Sequence, residues 1–146
     1  PWAQIVAYDL NEGTIRWRAP LGTVPALAAK GIKDTGNAQR IHRNGLAVTA
    51  GGLIFVGSAG DRTLHAYDKD TGKILWEREI DGNPEGLPAV YEVGGRQYVV
   101  FCASGSTRAG EQTGRSAAWT PGTFEGQGYY VFALPKTSSS TKKGTK

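Results

Sequence analysis

A chain of 146 residues with 39% hydrophobic side chains is long enough for one modest domain and apolar enough to bury a core, which excludes a disordered polypeptide. Its net charge of +4 is no nucleic-acid signature, because residues 1–135 hold 13 basic and 13 acidic side chains and the excess sits on Lys136, Lys142, Lys143 and Lys146. Cys102 stands alone, which excludes an internal disulfide and a cysteine-rich metal site, and no run of 18 apolar residues offers a helical membrane span.

The count of 21 Gly and 7 Pro with no Met, in a chain that opens Pro-Trp-Ala, leads us to expect a processed or partial polypeptide. Apolar runs are short, rich in Val, Ile, Tyr, Phe and Trp, and bounded by Gly and Asp, so strands are expected throughout and no convincing helix. The segments 5–9 and 14–19 read as a hairpin, and 46–50, 53–58, 64–68 and 74–79 as a meander of four. Three more strands are expected at 87–93, 96–104 and 129–135. Gly51-Gly52, Gly60-Asp61-Arg62, Asp70-Thr71-Gly72 and Gly94-Gly95 are expected hairpin turns, with Gly supplying the positive φ of tight loops. Residues 136–146, "KTSSSTKKGTK", hold nothing to bury and are expected to form a disordered polar tail.

One spacing recurs. "AYDLNEGTIRW", residues 7–17, returns as "AYDKDTGKILW", residues 66–76, with a Gly four residues after the Asp and a Trp eight residues after it. One structural unit used twice explains this. Strands grouped as two, four and three then make an all-β fold, a β-propeller fragment of about two to two and a half four-stranded blades, whose open edges invite further strands. Trp17 and Trp76 each fall in a last strand, where a large ring with one N–H donor can fill the gap between sheets and bond to neighbouring backbone, a structural role.

These residues also carry a family resemblance. The two "AYD…G…W" segments resemble the tryptophan-docking motif of pyrroloquinoline quinone (PQQ) dependent dehydrogenases. "VTAGGLIFVGSAGDRTLHAYDKDTGKILW" from Val48, "LPAVYEVGGRQYVVFCASG" from Leu87 and "YYVFALP" from Tyr129 resemble, in order, the C-terminal end of the glucose and alcohol dehydrogenases of that group. The resemblance covers most of residues 1–135 and implies an eight-bladed ring closed by a strand from the other end of a longer chain. It further implies PQQ on the propeller axis with calcium or magnesium, a sugar or alcohol substrate, a quinone or cytochrome electron acceptor, and a periplasmic or periplasm-facing location. The general base and most metal ligands of such enzymes belong to earlier blades, so no catalytic residue and no metal ligand is expected within this chain.

What the resemblance brings to this chain is a short set of cofactor-binding candidates. Asp61, in "GSAGDRTLHAY", matches an aspartate that lies near the quinone in the membrane glucose dehydrogenases; its other reading is a turn residue bonded to its own backbone. Arg43 and Asn44, in "RIHRNG" with Arg40 and His42, stand just before an inner strand, where cationic groups can pair with PQQ carboxylates; their other reading is an exposed polar loop. His42 has no second metal ligand at a useful spacing.

Two segments depart from the relatives. "GNPEGLP" at 82–88 replaces a Gly-Gly-Gln-Ala-Thr-Pro type segment, which questions glucose as substrate and places Glu85 at the surface. A Gly-rich insertion at 106–128 carries Trp119 and Phe124, and is expected to cover the axial mouth, to contact an electron acceptor, or to pack Trp119 against a blade. Phosphate loops, dinucleotide fingerprints, paired-histidine zinc motifs and nucleophile elbows are absent from the sequence. The rival readings are a non-catalytic propeller serving as scaffold or binding module, and a small protein completed by self-association.

Overall fold

The computed structural model describes residues 1–37, 44–105 and 126–135. Three antiparallel sheets are built from consecutive strands. The first pairs β1 (Gln4–Asp9) with β2 (Thr14–Pro20). The central sheet runs β3 (Leu46–Val48), β4 (Leu53–Ser58), β5 (Thr63–Asp68), β6 (Ile74–Glu79), and the third runs β7 (Asn83–Val93), β8 (Arg96–Ser104), β9 (Gly128–Phe132). The expected grouping of two, four and three is the one the backbone adopts.

The repeat is a repeat of geometry. In each copy the register slips between Ala and Tyr of the Ala-Tyr-Asp triplet, so that Ala7 faces Trp17 while Tyr8 faces Ile15, and Ala66 faces Trp76 while Tyr67 faces Ile74. The turn that follows is closed in both copies by the Asp side chain, Asp9 Oδ1 accepting from the N–H groups of Asn11 and Glu12 and Asp68 Oδ1 from those of Asp70 and Thr71. Gly13 and Gly72 take the left-handed conformation that each turn needs, at φ +67° and +70°.

Alternation along β4 and β5 serves two interfaces, because the central sheet is covered on both faces. Ile54, Val56 and Tyr67 pack with Ile5 and Ala19 of the first sheet, and Trp17 and Leu21 border that layer. From the opposite face Leu64 packs with Ile80, Val99, Phe101 and Ala103, bordered by Phe55, Trp76 and Phe132. Burying each large side chain of these layers contributes about 1.5–3 kcal/mol.

The central and third sheets also meet at their inner strands. Gly45 N–H donates to Gly86 O at 3.0 Å beside a parallel bridge between Asn44 and Gly86. Nearby, a Cβ on Gly57 would stand 2.3 Å from Pro84 Cβ, so only glycine admits the neighbouring strand there. The first strands of the two sheets, β3 and β7, thus meet along one line, as inner strands of neighbouring propeller blades do.

Four local expectations differ from what is found. Strand β7 begins at Asn83 rather than 87, because an irregularity between Glu85 and Ala89 absorbs the Pro-rich stretch that reads as a break. Glu85 is half-buried within it, opposite Cys102. A one-turn helix, α1 (Pro25–Ala28), with Pro25 at its start, is too short to leave a periodic pattern. At the 60–62 turn the positive φ belongs to Arg62, at 55°, and not to Gly60. Gly60 is needed for space instead, since a Cβ there would meet Asn37 Oδ1 at 2.3 Å. The tail at 136–146, Arg40, His42 and Arg43, and Trp119 and Phe124 lie outside the described residues.

Candidate functional site

The start of β3 and the β4–β5 turn lie at one end of the central sheet, and that end holds a polar cluster. Asn44 donates from Nδ2 to Gly57 O at 2.6 Å, while its Oδ1 is buried without a hydrogen-bond partner. Its bridge to Gly86 puts it on the line where the inner strands meet, hence on the axial side.

Asp61 is held from the neighbouring sheet. Its Oδ2 accepts the Thr23 N–H at 2.7 Å, from the loop that follows β2, and does not bond its own turn. Gly22 makes this possible: a Cβ there would fall 2.0 Å from Ser58 Oγ and 2.8 Å from Asp61 Oδ2. Ser58 accepts in turn from Asn37 Nδ2 at 3.0 Å. With Oδ2 occupied, Asp61 Oδ1 remains buried and unpartnered.

On β5, which that turn leads into, lies His65, 1% exposed, with neither ring nitrogen hydrogen-bonded. Its Nδ1 lies 3.0 Å from Glu77 Oε1, directly opposite on β6, but off the line a hydrogen bond requires. Burial holds the imidazole pKa below the usual histidine value, against the upward pull of the Asp61 and Glu77 charges. Tyr67, whose ring centroid is 5.7 Å from that of His65, donates its hydroxyl to Pro20 O at 2.9 Å, and burial with the same two charges pushes its phenol upward.

Trp17 and Trp76 stand away from this end. The Trp17 N–H donates to Lys69 O at 3.0 Å, in the turn of the central sheet. Trp76 packs edge-on against Phe132 with centroids 5.2 Å apart. Sequence reasoning missed Thr23, His65 and Glu77. A histidine at a buried strand position, opposite an acid in hairpin register, was the available signal.

A cleft of about 510 Å³ runs along the unpaired edge of β1, between Ile5, Leu21, Asn44, Leu46 and Val56 among others. Among the described residues no three His, Cys, Asp or Glu side chains converge on a metal position.

Comparison with known proteins bears on what such a site serves. Residues 1–99 match the family of glucose, ethanol and alcohol dehydrogenases of PQQ type, in its β-propeller domain. The chain belongs to this family, and its three sheets are those of a β-propeller fragment. It is 38% identical over 109 residues to the glycerol dehydrogenase large subunit of Gluconobacter thailandicus, covering 72% of this chain and 15% of that protein. It is 30% identical over 123 residues to quinoprotein glucose dehydrogenase A of Acinetobacter calcoaceticus, covering 77% and 14%. The structure of quinohemoprotein alcohol dehydrogenase ADHIIG from Pseudomonas putida HK5 superposes with a TM-score of 0.50 at 33% identity, over 68% of this chain and 12% of that one. The chain thus spans about a seventh of the length of these curated relatives.

Proposed function

We propose that this chain supplies blades and one wall of the cofactor site to a longer quinoprotein dehydrogenase, which oxidises a CH–OH group of a sugar or alcohol with PQQ. The observation that carries the reading is the placement of Asn44 and Asp61, each with a buried unpartnered oxygen, at the same end of the central sheet in a chain of this family. Their unpartnered Oδ1 atoms are acceptors, so they suit the N–H edge of PQQ or water bound beside it; its carboxylates call for a cation. Arg43 is the candidate for that charge.

PQQ, when bound, takes the two electrons of the oxidised alcohol. The chain's own contribution is to orient and to seal: Thr23 fixes Asp61 from the adjacent blade, and Pro84 and Leu87 close the inner seam against Gly57 and Gly45. Apolar side chains on the outer face and edge of the third sheet, Tyr91, Val93, Tyr129, Val131 and Leu134, are left 44–83% exposed, which fits a further blade of the same ring. Calcium or magnesium, a quinone or cytochrome acceptor, and a periplasm-facing location complete the proposal.

The test is reconstitution of the full-length protein with PQQ and calcium, followed by dye reduction over a panel of polyols, aldoses and primary alcohols. Cofactor-dependent oxidation of at least one class is expected. Absence of both PQQ binding and turnover overturns the reading and favours a scaffold.

A further inference from the structure

Segment 82–88 leaves one large apolar side chain bare at the inner seam. Leu87 is 74% exposed although it belongs to β7 and precedes a buried Pro88. The uncovered far side of the third sheet does not explain this, because Leu87 lies against the central sheet. A Cβ on Gly45, just before β3, would stand 2.5 Å from Leu87 Cγ and 3.1 and 3.3 Å from its two Cδ atoms.

Local backbone geometry holds the side chain there. Pairing of β7 with β8 is irregular between Glu85 and Ala89, and within that stretch Gly86 is left-handed at φ +76°. A Cβ on Gly86 would meet nothing within 4 Å, so this glycine serves conformation and not space. Where regular pairing has resumed, Val90 packs toward the central sheet. Strict alternation back along the strand would turn Leu87 the other way, so the irregularity is what re-aims it. Gly45 has no side chain to hold Leu87 off, and its N–H bond to Gly86 O fixes the approach. The leucine thereby stands at the same seam as Asn44, which bridges Gly86 and keeps its Oδ1 buried and unpartnered.

We propose that Leu87 is a specificity-determining residue, the apolar wall against which the carbon chain of an alkyl alcohol packs. The inference rests on the functional reading above and narrows its substrate class. A leucine side chain offers no hydrogen bond. An alkyl group therefore gains by leaving water against it, whereas a hydroxyl pressed onto it loses water and finds no partner. Substrates with a hydroxyl on every carbon are disfavoured for that reason. An apolar wall rejects an added hydroxyl by about a hundredfold at most, so preference and not exclusion is expected.

The full-length, PQQ-loaded protein tests this with 1-butanol, glycerol and glucose. Wild-type kcat/KM for 1-butanol should exceed that for each of the others about tenfold or more. Leu87→Asn, which keeps the branch and adds an amide, should cut the ratio of 1-butanol to glycerol about tenfold, mostly through KM. Its PQQ affinity, read by tryptophan quenching, should stay unchanged. Leu87→Ala should move the ratio in the same direction and serves if the Asn variant fails to fold. Leu75→Asn, at a leucine 53% exposed on the outermost strand β6, is the control. A wild-type preference for glycerol or glucose overturns the proposal, as does PQQ-binding protein that leaves 1-butanol untouched. So does a ratio unmoved in both Leu87 variants, moved equally by Leu75→Asn, or moved only together with PQQ affinity. Wild-type protein that binds no PQQ and oxidises none of the three condemns the functional reading, which is a different result.

Discussion

The ring of Trp17 lies so close to Gly72 that a Cβ on that glycine would come within 2.5 Å of it. The contact joins the last strand of one sheet to the third turn of the next, and the N–H of the same ring reaches Lys69 O. Adjacent sheets are therefore keyed together by one indole and one missing side chain. Gly72→Ala meets both a steric conflict and a φ of +70°, and a loss of about 2–4 kcal/mol is expected, read from the denaturation midpoint of the full-length protein. Trp17→Phe keeps much of the ring contact and loses the hydrogen bond, so a smaller loss of about 0.5–1.5 kcal/mol is expected.

Asp68 makes the turn that receives Trp17. Its carboxyl is held below the usual aspartate range, first by the Thr71 hydroxyl and then by the Thr71 N–H. A group whose folded pKa is depressed stabilises above its unfolded value and ceases to do so as pH falls through the folded one. Asp68→Ala should therefore destabilise at neutral pH and lose its effect in strong acid. Urea titrations of the variant and the parent at about pH 7 and about pH 3 check the sign.

His65 gives a second window of the same sign, at higher pH. Its folded pKa lies below 6.5, so the unfolded chain binds the proton first and stability should fall as pH drops below that value. No histidine-linked change is expected above it. H65Q should flatten the stability profile between about pH 7.5 and about pH 5, where Asp68 remains ionised. A slope unchanged by the substitution contradicts the assignment.

The inner seam is a third point of control. Gly57→Ala would push a methyl group into Pro84, 2.3 Å away, and separate β4 from β7. Overpacking of this kind costs about 1–3 kcal/mol, and slower PQQ uptake should accompany the loss, because the seam borders the axis. Gly51→Ala, whose Cβ would meet nothing nearer than Thr49 Oγ1 at 3.9 Å and whose backbone is likewise outside the left-handed region, is the control.

Strand number, sheet grouping and the blade repeat were legible in the sequence because hairpin spacing and period-two burial are local. Asp9, Gly13 and Trp17 announce Asp68, Gly72 and Trp76 by spacing alone. The site was legible only in part. That Asp61 is fixed by Thr23 depends on a contact between sheets 38 residues apart, and the space at Gly22 that allows it has no sequence signature. His65 read as one more residue of a strand, since its meaning comes from burial and from Glu77 across the ladder. The Asn83 start of β7 was hidden because Pro84 and Pro88 signal a break, which the register irregularity tolerates.

In the function proposed above, the Asp61 end of the central sheet faces the cofactor. Titration of cofactor-free full-length protein with PQQ, followed by tryptophan quenching in wild type and Asp61→Ala at equal folded fraction, tests it most directly. A dissociation constant raised about tenfold or more is expected in the variant, as loss of a buried acceptor at a ligand entails. Equal affinity in the two proteins would contradict it.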